Sequence, residues 1–201
     1  MNNRCTSISS SSRCHLTLSM LQLTRTKHKL NTCWTLQLRA ISTIRYPHQK
    51  QLFLHRQQNT PNAHVVSFSA DPTKMPIGTA YLDLPEEDHI TPASFSPNKQ
   101  FFPLLHSVIA SSIHDDFTYL VESSHYAGEF MPIFDLRRVP NYQRSPDTED
   151  TFGFVLCEEK TGEIIKGSYQ SNAMYTLVTQ DGPLILSDHL HEKLVEKLDQ
   201  E

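Results

Sequence analysis

Three groups of side chains in this chain have types and spacings that chemistry can use. The first is Ile113-His114-Asp115-Asp116, an imidazole beside two carboxylates, with His125 and Glu129 a short way on. Such a set could ligate a metal or move a proton in acid–base work. The spacing is not that of a metalloprotease helix, where two histidines stand four residues apart. A polar trio also marks where a helix ends and meets water, and a histidine there is favoured by the helix dipole. The second reading is preferred. No metal centre is expected, and His114, Asp115 and Asp116 are the residues that would form one.

The second group is Asp135-Leu136-Arg137-Arg138, followed by Arg144-Ser145-Pro146-Asp147-Thr148-Glu149-Asp150. Two-residue spacing puts Asp135 and Arg137 on one side of a strand. Arg137, Arg138 and Arg144 are the main positive cluster of an acidic region. They could hold an anion or a partner's carboxylate, or pair internally with the acidic loop, which is preferred. The third group is Gly167–Asn172 with Tyr175 beyond it, a polar stretch between two strands that reads as a binding loop or as ordinary turn material. Asp135, Arg137, Arg138, Arg144, Tyr169, Asn172 and Tyr175 are therefore the binding candidates. Ser187-Asp188-His189 is a helix cap, because neighbours at a helix start cannot face one another as a triad must. The sequence contains no phosphate-binding glycine loop, nucleophile elbow or dinucleotide fingerprint, so neither a cofactor nor a catalytic residue is assigned.

The elements that must position these groups can be read from periodicity. Ile77–Leu84 supplies a first strand ending at Pro85. Asn98 is a helix N-cap, and Phe101, Leu104, Leu105, Val108, Ile109 and Ile113 then fall on one side of a helix, with Pro103 tolerated near its first turn. A short helix covers Phe117–Glu122. The period changes to two in Phe130–Leu136, where Pro132 implies an edge strand. Thr151–Glu158 alternates Phe152, Phe154 and Leu156 against Gly153, Val155 and Cys157 as a half-buried strand, and Lys160-Thr161-Gly162 turns it back through Glu163–Gly167. Ala173–Thr179 is a further strand, turned at Gln180-Asp181-Gly182 towards Pro183–Leu186. Ser187 caps a last helix built on Leu190, Leu194 and Leu198. The pattern implies an α+β fold: a small antiparallel sheet with helices on one face, preceded by a disordered basic leader.

Charge divides the chain. Residues 1–70 hold nine Lys or Arg and no acidic residue; residues 71–201 hold nine basic residues against all 22 acidic ones, a formal −13. An acid-free leader rich in Ser, Thr, Leu and Arg has the composition of a mitochondrial presequence. The stretch Leu16–Leu23 is broken by Thr17, Ser19 and Gln22, which argues against a secretory signal, and no run approaches the roughly 18–20 apolar residues of a membrane span. The organisation expected is a presequence at 1–46, with 1–19 a possible extension ahead of a start at Met20, a polar linker at 47–75 and an acidic domain at 76–201. Processing is expected within Arg39–Tyr46, where Arg39-Ala40-Ile41-Ser42 and Arg45-Tyr46 both look like matrix-protease sites. Three of the four cysteines lie in the leader; Cys157 alone lies in the acidic part, followed by Glu158 and Glu159, which disfavour thiolate. It reads as a small strand residue.

The stretches HDDF (114–117), MPIFDLR (131–137), SPDTEDTFGFV (145–155), YQSNAMYTLVTQDG (169–182) and LSDHLHEKLVEKL (186–198) occur in an order that resembles a group of fungal mitochondrial proteins of unassigned function. An acidic P-D-x-E-D-x-x-G stretch before a strand, and Y-Q-x-N-x-x-Y before a glycine turn and a C-terminal helix, carry the resemblance, which spans roughly residues 98–198. It implies the same domain outline and a mitochondrial setting, and transfers no catalytic residue. The expected function is that of a small acidic matrix protein, a non-enzymatic accessory, assembly or protein-binding factor whose partner offers a basic surface. The alternative is a metal-dependent or acid–base enzyme using the His114/Asp115/Asp116 region with His125 or Asp135. Nucleic acid is not an expected partner, since the acidic domain would repel phosphate.

Overall fold

The computed structural model describes residues 42–57, 60–85, 88–138 and 145–200, all within one compact unit. Short strands joined by tight turns open this unit: β1 (Thr43–Arg45), β2 (Phe53–Arg56), β3 (Ala63–Ser67), β4 (Gly78–Tyr81) and β5 (Phe95–Pro97). They pair antiparallel in chain order as a five-stranded meander. In register, Ile44 lies opposite Leu54, Leu54 opposite Val66 and Ala80 opposite the buried His64, so one face presents Ile44, Leu54, Val66 and Ala80 to the core.

This sheet corrects two expectations. Residues 47–75 are not a linker; they carry β2 and β3 and bury Leu52, Leu54, Val66 and Phe68. The end of the stretch assigned to the presequence is also structural. Thr43–Arg45 pairs with β2, and Tyr46 is buried with its hydroxyl accepting the Ile90 N–H at 2.9 Å. Strands of three to five residues leave too few alternations to stand out among polar turns. Even the glutamines that made the segment look solvated are used. The Gln51 carboxamide donates to the Leu186 carbonyl (2.8 Å) and accepts the Leu186 N–H (3.1 Å), while Gln49 donates to the Leu184 carbonyl. Those bonds tie the first turn to the segment before the last helix.

The helices are α1 (Phe101–Ser112), α2 (Phe117–Ser123) and α3 (Asp188–Gln200). Phe101, Leu104, Leu105, Val108 and Ile109 are the buried face of α1, and Leu190, Leu194 and Leu198 that of α3, which packs on α1. Asn98 is not the N-cap but stands two residues before the N-cap position, Gln100: its side chain accepts the Gln100 N–H and donates to the Pro76 carbonyl. Ser187 does cap α3, accepting the Leu190 N–H at 3.2 Å. Among the described residues no helix is long and apolar enough to cross a membrane.

A second sheet is formed by β6 (Phe130–Phe134), β7 (Thr151–Leu156) and β8 (Gln170–Ser171), in that order, so β6 is an edge strand and Pro132 sits where its missing N–H is tolerated. The turn back at Glu163–Gly167 pairs through a single bridge, Cys157 to Ile164. Of the strand expected at Ala173–Thr179 only β9 (Val178–Thr179) forms, opposite β10 (Gly182–Pro183). Ala173–Leu177 is drawn out of any ladder because Asn172 accepts the Met174 N–H in a side-chain turn and the Thr176 backbone bonds elsewhere, its N–H to the Glu149 carbonyl. The whole is α+β, with antiparallel sheets and three helices around a shared apolar core.

Candidate functional site

β6 ends at Phe134, and the chain then turns so that Asp135 and Arg137 enter the protein together. They do not share a strand face, as two-residue spacing implied; they meet across a turn in which the Asp135 carboxylate accepts the Arg137 N–H at 2.9 Å. The other contacts of Asp135 are the Ile185 N–H at 2.8 Å, the Tyr175 hydroxyl at 2.9 Å and the Arg137 Nε at 3.4 Å. Arg137 Nε donates to Asp150 at 2.8 Å, and the remaining guanidinium N–H groups reach the carbonyls of Gly182 (3.2 Å), Thr176 (2.7 Å) and Glu149 (3.2 Å). The guanidinium carbon lies 5.7 Å from the centre of the Tyr175 ring. Both Asp135 and Arg137 side chains are fully buried.

One cation thus serves two carboxylates in a dry environment. Burial raises the Asp135 carboxyl to about 6, against the opposing pull of the Arg137 charge. Burial, helped by the neighbouring Asp135 charge, also pushes the Tyr175 phenol well above its ordinary range. The network joins β6, the acidic loop, the segment before β9 and the β10 turn. Its chemistry is cohesive: the donors of the guanidinium go to the protein's own acceptors, leaving the fork engaged rather than open to an anion.

The other candidates disperse. Arg138 stands at the surface, 3.0 Å from Asp147 and 3.8 Å from Asp181. Arg144 lies outside the described residues. Asn172 donates to the carbonyls of Thr148 and Thr151, both at 2.8 Å, pinning the loop to β7. Tyr169 lays its ring where Gly153 has no side chain; a Cβ there would come within 2.8 Å of the ring and 2.2 Å of the Gln170 carbonyl oxygen. Its hydroxyl donates to the Phe152 carbonyl at 3.1 Å and lies 2.8 Å from His106 Nδ1 on α1. Burial raises that phenol and lowers the His106 imidazole. Of the seven expected binding residues, Asp135, Arg137 and Tyr175 share one buried hub, Arg138, Tyr169 and Asn172 stand apart from it, and Arg144 is outside the described residues.

The His114 trio also separates. His114 pairs with Asp115 at 3.2 Å, and Asp115 is exposed. Asp116 is buried, caps α2 by accepting the Thr118 N–H at 2.9 Å, and accepts a hydrogen bond from the Ser187 hydroxyl. It joins the starts of α2 and α3 as a shared cap. His125 and Glu129 are exposed, and among the described residues no group of three His, Cys, Asp or Glu side chains is placed to hold a metal. Cys157 is buried in the core, its thiol raised by burial.

Sequence reasoning missed the surface. In β7 Phe152, Gly153 and Val155 are buried, as is Cys157 just beyond it, while Phe154 and the half-buried Leu156 face out. Register places Phe130 opposite Leu156 and Pro132 opposite Phe154, all on that outer face. Ile165, whose N–H bonds the Leu156 carbonyl, extends it. Phe130, Phe154 and Ile165 are 49%, 41% and 42% exposed. An antiparallel sheet with one solvated face ordinarily turns polar residues outward. A second apolar strip runs along α2, where Phe117, Leu120 and Val121 are exposed at helical spacing. The readable signal was that Phe152–Cys157 carries no polar side chain, a run suited to a strand covered on both faces. Comparison of the chain with protein-family models, curated proteins and solved structures returned no match.

Proposed function

We propose that this protein is a small acidic accessory or assembly factor of the mitochondrial matrix that works by binding another protein. The observation that carries the reading is the apolar outer face of β6 and β7, which presents Phe130, Phe154 and Ile165 to solvent. Aromatic side chains left uncovered in a contiguous patch are the usual mark of an interaction surface. The polar residues of the buried hub are engaged in holding the fold, so binding falls to the apolar face.

The address rests on the acid-free leader and on the resemblance to fungal mitochondrial proteins. Of the two processing stretches, Arg39–Ser42 is preferred over Arg45-Tyr46, because cleavage at the latter would remove β1. A chain starting at Ser42 keeps twelve basic residues against 22 acidic ones, a formal −10. That charge favours basic partners and steers their approach.

Import of the full chain into isolated mitochondria, followed by sequencing of the mature N-terminus, tests the address. Protease-protected protein beginning at residues 40–42 is expected, and exclusion from the organelle would overturn it. Affinity capture from mitochondria at low salt, comparing the native chain with a Phe130→Ser/Phe154→Ser variant, tests the binding role. A reproducible partner retained by the first and lost by the second is expected; identical recovery by both would refute it.

A further inference from the structure

The outer face of the second sheet changes character along its length. Past Leu156 the alternation of β7 continues through the Cys157–Ile164 bridge, and the Glu158 N–H bonds the Glu163 carbonyl. Glu158 and Glu163 therefore follow Leu156 and Ile165 on the outer side, opposite each other. Like charges in directly opposed positions disfavour a hairpin, so a cation placed between them is favoured beside the Thr161 hydroxyl that donates to Glu158 at 2.7 Å. Glu129, whose carbonyl accepts the Cys157 N–H, and Glu159 stand at the same end, and all four glutamates are exposed. Lys160 and Lys166 are the cations nearest in sequence, two against four. Apolar ground thus passes into an acidic rim. Phe154 to Glu158 is four residues, about 13 Å at strand rise.

We infer that the occupant of this face is a basic amphipathic helix of the partner protein, its apolar stripe on Phe130, Phe154, Leu156 and Ile165 and its Lys or Arg residues on Glu158 and Glu163. This rests on the protein-binding reading above and names the chemistry of the partner. A helix rises about 1.5 Å per residue, so roughly nine residues span from apolar anchor to cation. A second copy of this chain is disfavoured, because stacking the two faces would bring acidic rims together. An extended peptide added to β6 is disfavoured by Pro132, which takes a donor from the edge strand.

The test titrates the full chain with two synthetic helical peptides carrying Leu at i, i+3, i+4 and i+7, one with Lys and one with Glu on the polar face, and with a scrambled Leu/Lys peptide, reading amide NMR shifts and anisotropy. The expected result is binding of the Leu/Lys helix at the β6–β7 face, weakened by added salt, with the Leu/Glu and scrambled peptides at least about tenfold weaker. Phe130→Ser/Phe154→Ser should weaken the Leu/Lys helix about tenfold or more. Glu158→Lys/Glu163→Lys lies outside the named strands and should invert the preference towards the Leu/Glu helix. Equal binding of both charge types, Leu/Lys binding unchanged by the Phe substitutions, or a face already closed by a second copy or by the chain's own leader, seen as crosslinks in the unliganded protein, overturns the proposal. Loss of mitochondrial partners in the Phe variant without Leu/Lys binding would sink the partner chemistry alone; unchanged partner recovery would sink the protein-binding reading beneath it.

Discussion

Arg137→Met removes the cation of the buried hub while keeping most of its volume. In the native protein Arg137 sits 2.8 Å from Asp150 and 3.4 Å from Asp135 and donates to three carbonyls. Asp135 would keep its two backbone N–H donors and the Tyr175 hydroxyl, whereas Asp150 would lose its ion-pair partner. Removing one member of a buried ion pair costs about 3–5 kcal/mol, because the other charge stays desolvated. The carbonyls of Gly182, Glu149 and Thr176 lose donors worth about 1 kcal/mol each, less whatever water restores. A loss of about 4 kcal/mol at pH 7 is expected, a large share of the roughly 5–15 kcal/mol that stabilises a domain. The loss should shrink in mild acid, where Asp135 can take a proton. The control is Arg138→Ala, whose pair with Asp147 is well over half exposed and worth at most about 1 kcal/mol. Urea unfolding followed by circular dichroism measures both. A loss below about 1 kcal/mol for Arg137→Met, or an equal loss for Arg138→Ala, would refute the view of Arg137 as the tie between these segments.

Three more outcomes are expected. Asp135 binds its proton more tightly in the native state, at about 6, than at the ordinary 3.8 of an unfolded chain, so its contribution to stability is full below 3.8 and is lost as pH rises through about 6. Asp135→Asn should flatten the stability profile over that window by about 3 kcal/mol, and parallel profiles for the two proteins would contradict it. A chain beginning at Ser42 should fold, whereas one beginning at Pro47 lacks β1 and Tyr46 and should lose at least about 3–5 kcal/mol; equal melting temperatures would disprove the role of that strand. Gly153→Ala forces a Cβ against the Gln170 carbonyl and the Tyr169 ring, so a loss of about 1–3 kcal/mol and a changed His106 NMR signal are expected, against an unaltered protein if the sheet can yield.

Much of the fold was legible. The helix carrying Phe101, Leu104, Leu105, Val108 and Ile109, the four-residue repeat of Leu190, Leu194 and Leu198, the Ser187 cap and the Pro132 edge strand each follow from spacing or from one residue's backbone chemistry. The first sheet was not legible in residues 43–67. Its strands are short, and polar residues such as Gln51 satisfy the backbone of a segment 135 residues away. The hub was legible in part. Asp135 and Arg137 were singled out with internal pairing to the acidic loop, and the structure supplies the residue, Asp150. Tyr175 was named without its partner, since a hydroxyl 40 residues distant in sequence announces no contact.

By itself the sequence determined the quantities that need no folding: the acid-free first seventy residues, the acidic remainder with its one cysteine, and the local periods that make helices and strands. Tertiary structure decided where each polar group finds its partner and which side of each strand meets water. In Thr151–Leu156 both sides are apolar enough to bury, so hydrophobicity could not choose between them. Packing chose. Gly153 leaves room for the Tyr169 ring beneath α1, Met131, Ile133 and Val155 fill the inner face, and Phe154 is turned outward onto the surface that gives this protein its proposed work.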